Sequence, residues 1–338
     1  MTLSHQPLVV YSRASLPESH HAGWLATYDP AAPDATGGPF PVTFVRSSMK
    51  AFQALPLLIT GAAEAFDITD AELALICSSH NGQPFQTDVV QSLLDRAELP
   101  VSALQCGAHA PYREEDAKVL IARGEAPTAL HNNCSAKHAG FLLLCKHQGW
   151  PVEDYLNPEH PAQQHIRRTI MGLTGQTAET FHVGIDGCSA PTFAFPLDRL
   201  AFLFSQLAKP SPGLCEKALT RLGRALAANP RYVAGDGRFD TDLMTAGPFI
   251  AKMGAEAVHA GVHIPTGRAW AVKIADGGRR AASITVAAWV QAQGWLDCET
   301  SLMETHRAGP LLNHAGLLVG ESHYVGPTGP AGSAEGRG

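Results

Sequence analysis

The stretch GVHIPTGRAWAVKIAD, residues 261–276, decides the fold. Two apolar runs flank Pro265-Thr266-Gly267, a trio suited to a tight reversal, so the stretch predicts a β-hairpin. Residues 249–252 add a strand just upstream. At the other end of the chain, residues 8–11 and 22–28 predict two more strands around a polar turn near residues 18–21. Between the ends the apolar period changes. Residues 47–66, 88–97, 116–123, 134–150 and 160–174 carry helical spacing, and Pro56 predicts a break in the first. A strand is predicted at 181–185, and further helices at 197–207, 213–228 and 281–294. Antiparallel strands drawn from both chain ends, with helices gathered in the middle, give an α+β class, unlike the regular alternation of a doubly wound sheet. The predicted division is a sheet-containing part (residues 1–46 and 180–325), a mainly helical part (47–179) and a low-complexity, disordered tail (326–338).

Composition narrows the function. Of 338 residues 45% are hydrophobic and 17% charged, which permits a large core. A net charge of −6 argues against nucleic-acid and anionic-membrane partners, both of which need basic surfaces. No apolar run reaches the ~18–20 residues of a membrane span. Residues 1–21 lack a basic start followed by an apolar segment, so a cytoplasmic location is expected. The seven cysteines (Cys77, Cys106, Cys134, Cys145, Cys188, Cys215, Cys298) are odd in number and widely spaced, which suits reduced thiols, not a disulfide framework. No CxxC pair occurs.

Three short patterns carry chemistry. Ser47-Ser48-Met49-Lys50 opens a predicted helix and sets an amine one turn from a hydroxyl. A serine hydroxyl attacks only when a base takes its proton, and a lysine serves when it is held neutral. Ser79-His80-Asn81 and Lys252-Met253-Gly254 follow in the order, and with part of the identity, of the S-D-N and K-T-G motifs of serine β-lactamases. The third pattern is HNNCSAKHAGF, residues 131–141. Asn133 is the expected N-cap, and Cys134, Lys137 and His138 fall at offsets that share one helix side. Together with Cys188, which follows Asp186-Gly187, they offer two thiols and a nitrogen base to a zinc ion. Spacing leaves Lys137 and His138 both open as the nitrogen donor, and Asp186 is placed to orient a water. His80, His138, Asp186 and Arg46 are the candidates for substrate contact, Arg46 for a carboxylate.

RSSMK, CSSHNGQP, CGAH-P, HNNCSAKHAGF, GIDGCSAPTFAFPL and GRFDTDLM together resemble the Rhizobium etli-type, or class 3, L-asparaginases, over about residues 13–320. The resemblance implies a serine β-lactamase or penicillin-binding-protein-like fold, a homodimer, and hydrolysis of L-asparagine to L-aspartate and ammonia. It implies Ser47 as nucleophile with Lys50 as its base, Ser79 and Lys252 as a second serine–lysine pair, and Cys134, Lys137 and Cys188 as ligands of Zn2+ with Asp186 nearby. Ala14, Ser15 and Ala136 stand where the family pattern has glycine. The rival readings are a zinc-water amidohydrolase, a β-lactamase-like acyl hydrolase or peptidase, and a non-catalytic zinc-binding module.

Overall fold

Ala14 and Ser15 both take left-handed backbone, φ 47° and 68°, and turn strand β1 (Gln6–Arg13) directly into β2 (Leu16–Tyr28). Two consecutive positive-φ residues in a two-residue loop match the right-handed twist of the strands they join. The computed structural model describes residues 4–34, 38–213, 215–296 and 303–328. Cys298 and residues 329–338 of the predicted tail lie outside the described residues.

After the hairpin the chain runs through β3 (Val42–Phe44), a 3-10 turn (Arg46–Met49) and α1 (Lys50–Gln53). Helices α2 (Leu55–Ile59), α3 (Ala62–Ala65), α4 (Asp70–Ile76), α5 (Pro84–Arg96), α6 (Glu114–Ala122), α7 (Ser135–Gln148) and α8 (Pro161–Thr174) follow. Then come β4 (His182–Ile185), β5 (Pro191–Pro196), α9 (Leu197–Ala208), α10 (Glu216–Ala228), α11 (Pro230–Val233) and α12 (Phe239–Ala246). The chain closes with β6 (Phe249–Met253), β7 (Val258–His263), β8 (Ala269–Ile274), α13 (Arg279–Ala292), β9 (Pro310–Leu312) and β10 (Leu318–Tyr324).

Two compact units result. The first comprises Met1–Thr43, Pro196–Lys209 and Asp242–Gly338. It holds a seven-stranded antiparallel sheet in the order β6-β7-β8-β2-β1-β10-β9. The predicted hairpin is its β7–β8 pair, with Val262 opposite Ala269. A Cβ on Gly261 would stand 2.3 Å from the Trp270 ring, so only glycine lets that indole cross β7. All six residues of β7 are buried, as expected of a strand covered on both faces. Helices α9 and α13 supply the cover, and Trp270 meets Trp289 of α13 at 5.7 Å. Strands β9 and β10 escaped the sequence reading, because their residues are largely exposed and show no clean alternation.

The second unit, Phe44–Phe195 and Pro210–Thr241, is mainly helical. Its centre is α7, in which eleven consecutive residues from Ser135 to Cys145 are buried. Gly140 lets α7 lie against α4, since a Cβ there would approach Ile76 to 2.8 Å. The boundaries differ from the predicted ones at three places, residues 44–46, 180–195 and 210–241, all of which fall in this unit. Residues 180–195 belong here because Phe181 packs on Phe193 and Phe195 within the unit. Helix α10 belongs here because it packs on α4 and α2 and ties to them through Arg221–Glu64 and Arg224–Asp70. The single helix predicted over residues 47–66 is instead a 3-10 turn and three short helices; Pro56 lacks the N–H to continue one and falls in the first turn of α2. Residues 73–76 form the buried part of α4, which is started by a Thr69–Glu72 capping box.

Candidate active site

The start of the 3-10 turn is unusual. Arg46 has φ 51°, a left-handed conformation that a residue with a Cβ rarely adopts. Such strain persists only where surrounding contacts hold it, and here they are visible. Its Nη2 and Nε donate to one Asp186 oxygen at 2.6 and 3.0 Å. The residue directly before Ser47 is thereby clamped to the turn that carries Cys188. Arg46 was expected to be open to a carboxylate; most of its donors on that side are already engaged by Asp186.

Lys50 is buried, and its Nζ meets the Ser78 carbonyl at 2.6 Å, the Ser79 Oγ at 3.0 Å and the Asn133 carbonyl at 3.3 Å. Carbonyls only accept. Two N–H bonds are thus committed, and the third contact is either N–H to Ser79 or Ser79 O–H to the amine lone pair. The lysine sits one turn from Ser47, yet among the described residues its hydroxyl partner is Ser79. Ser47 is 9% exposed and Ser79 4%, so Ser47 is the more open of the two hydroxyls.

The cysteine cluster adjoins Lys50. Cys134, Lys137 and Cys188 are each 4% exposed or less. Lys137 Nζ stands 3.2 Å from Cys188 Sγ. Cys134 and Cys188 share a hydrogen bond, which lowers the Cys134 pKa well below the ordinary thiol value and raises that of Cys188; the Lys50 and Lys137 charges pull Cys134 the same way. Burial opposes the Lys137 ammonium, but Cys188, Cys134 and Asp186 outweigh it and hold its pKa up. Burial likewise opposes the Asp186 carboxylate, and Lys137 and Arg46 outweigh that. Among the described residues no three His, Cys, Asp and Glu side chains gather as a metal group. The set at hand has two such residues with a lysine, a compact sulfur and nitrogen donor group whose chemistry fits zinc.

The other candidates separate. His138 Nδ1 shares a hydrogen bond with the Tyr155 hydroxyl at 2.7 Å, and that hydroxyl also accepts the Gln105 N–H. Its Nε2 is buried with no partner among the described residues. Of the two nitrogens left open by spacing, Lys137 is the one against a sulfur. His80 is fully buried, and both ring nitrogens are engaged: Nδ1 accepts the Gly82 N–H and Nε2 donates to Ser135 Oγ. Burial first, then the Lys50 charge, push its pKa down to about 3, which keeps it neutral. It is a fixed strut, not an open substrate contact. Lys252 belongs to the sheet unit, buried on β6 with Nζ donating to the Met253 carbonyl at 3.0 Å, whereas Ser79 belongs to the helical unit.

Asn133 is not the helix cap. Cys134 takes that position, and the Asn132 side chain accepts the Cys134 N–H. The Asn133 peptide instead bridges His109 Nε2 and Lys50. Tyr155, His109 and the Ser78 and Asn133 carbonyls were missed in the sequence. CGAH-P pointed at His109; backbone carbonyls leave no sequence signal. Compared with known proteins, residues 9–324 match the family model described as L-asparaginase II. No curated protein gives a significant match.

Proposed function

Because the chain belongs to the L-asparaginase II family, hydrolases acting on the asparagine amide, we propose that it hydrolyses L-asparagine through an ester on Ser47. The observation that carries the serine–lysine part is the Lys50 amine, held by two carbonyls and the Ser79 hydroxyl. With two N–H groups on carbonyls, the remaining position of the nitrogen is directed at the Ser79 hydroxyl, the path along which a proton can pass. Ser47 Oγ attacks the carboxamide carbon and its proton passes to Lys50. The Ser47 N–H, at the open end of the 3-10 turn, is a candidate donor to the oxyanion. Ser79 then gives its proton to the leaving nitrogen and takes one from Lys50, so ammonia departs. Water attacks the aspartyl ester, Lys50 takes its proton, and Ser47 recovers its hydrogen as L-aspartate leaves.

Cys134, Lys137 and Cys188 are the residues that would hold zinc. When bound there, the ion would supply a Lewis-acid grip on the substrate's α-substituents. The family membership also supports carrying forward the β-lactamase-like fold and the homodimer as parts of this proposal. A second reading, with Ser79 as nucleophile, is favoured by its direct contact with Lys50. Ammonia release and trapped-ester mass on Ser47→Ala and Ser79→Ala separate the two. The first reading expects Ser47→Ala to fall by more than about a thousandfold with no ester. Activity of Ser47→Ala within tenfold of wild type, ~1.4 kcal/mol in barrier, rejects it.

A further inference from the structure

The loop that precedes α6 ties together both segments that Lys50 bridges. At its start the Cys106 carbonyl accepts from Asn132 Nδ2 at 2.8 Å. In its middle His109 Nε2 accepts the Asn133 N–H at 2.9 Å. At its end the Tyr112 N–H donates to the Asn81 carbonyl at 2.9 Å, two residues past Ser79. Lys50 meets the Asn133 carbonyl on one side and the Ser79 hydroxyl on the other. One loop therefore holds both of these partners in place.

The bonds of His109 define its ring. A backbone N–H only donates, so Nε2 carries no hydrogen. The ring hydrogen is on Nδ1, which donates to the Ala110 carbonyl at 2.7 Å. One ring face stacks on Tyr112, with centroids 4.8 Å apart and planes 21° from parallel. The acceptor is thus fixed in direction before it meets Asn133.

Each peptide unit is a rigid plane. The plane joining Asn132 to Asn133 has its carbonyl on the Ser135 N–H at 2.9 Å and its own N–H on His109. One such bond lets the plane turn about it; a second on the opposite side stops the turn. The next plane, joining Asn133 to Cys134, has its N–H on Asn132 Oδ1 and presents its carbonyl to Lys50. Only the two backbone dihedrals of Asn133 separate that carbonyl from the His109 bond. We propose that His109 is a positioning residue, which orients the Asn133 carbonyl and through it the Lys50 amine. The proposal rests on the reading of Lys50 as the base.

The test compares His109→Gln with His109→Asn in the full-length protein. Glutamine is long enough to offer an amide oxygen where Nε2 stands. Asparagine reaches only the place of Nδ1, so it keeps the Ala110 contact and loses the one to Asn133. Both lose the ring that stacks on Tyr112, so any loss due to the stack appears in both. A displacement of ~1 Å at a reacting group costs on the order of a hundredfold in rate. His109→Asn should therefore lower kcat for asparagine at least about tenfold with KM within about threefold of wild type, and His109→Gln should bring kcat back to within about threefold. Crystal structures should show the Asn133 carbonyl out of hydrogen-bond reach of Lys50 Nζ in His109→Asn and in place in His109→Gln. Equal kcat in the two variants, a change confined to KM, or an unmoved Asn133 carbonyl in His109→Asn would overturn the proposal. Wild type that releases no ammonia from asparagine would reject the hydrolysis reading instead, and the two crystal structures would still decide the positioning.

Discussion

Replacing Lys50 with methionine tests the centre of the site. Methionine keeps most of the stem volume and removes the amine. Three contacts go: two buried carbonyls, at 2.6 and 3.3 Å, and the Ser79 hydroxyl at 3.0 Å. Each buried carbonyl left unpaired costs about 1–3 kcal/mol, or roughly 2–6 kcal/mol for the two. An apolar group in place of a buried amine returns about 1–2 kcal/mol of that. The net expectation is a loss of about 0–5 kcal/mol, centred near 2–3 kcal/mol, read from the urea midpoint with unchanged slope. Ser79→Ala leaves both carbonyl bonds in place and should cost only about 1 kcal/mol. The kinetic expectation is different. A general base contributes about 10²–10⁴-fold, so Lys50→Met should lower the specificity constant for asparagine by at least about a hundredfold in protein that is still folded. Ammonia release at low temperature, where the variant remains native by circular dichroism, measures this. Turnover within tenfold of wild type would refute Lys50 as the base. Equal destabilisation by Ser79→Ala and Lys50→Met would refute the carbonyl cradle.

Cys188→Ala should lose most bound zinc by elemental analysis while lowering the maximal rate less than Ser47→Ala does; full occupancy removes the site. Because Lys137 is held protonated by the neighbouring thiols and Asp186, zinc must displace a proton, so its affinity should rise between pH 6.5 and 8, and a flat response contradicts the ligand set. His80 is neutral in the folded chain, with its pKa pushed down to about 3. The unfolded chain binds the proton first as pH falls below ~6.5, so stability should fall on acidification, by about 2 kcal/mol at pH 5 from this residue alone; a stability flat from pH 7 to 5 counts against it. Ala14→Gly with Ser15→Gly relieves two left-handed residues at about 1–2 kcal/mol each, less about 0.5–1 kcal/mol each in glycine entropy. The double variant should unfold at higher urea with unchanged turnover, and a lower midpoint would show that the turn is not strained.

Local sequence was enough wherever one residue's own chemistry sets the answer. The reversal at residues 265–267, the break at Pro56 and the helical periodicity of residues 134–150 follow from backbone dihedrals and side-chain spacing. At Ala14 and Ser15 it was the family resemblance, not their own chemistry, that implied glycine, and both have positive φ. The contributing cysteines and the Ser47 to Lys50 spacing were visible as residue types at set offsets. What required the tertiary structure was every partner chosen across long sequence separation. Lys50 meets Ser79 and the Asn133 carbonyl through packing of α1 against segments 29 and 83 residues away. Lys137 prevails over His138 at the sulfurs because Tyr155, 17 residues on, takes the imidazole. Arg46 is held by Asp186, 140 residues distant. Spacing along a helix fixes which side chains share a face. It is silent on what the rest of the chain brings to that face, and there the hydrogen-bond partners and charges are decided.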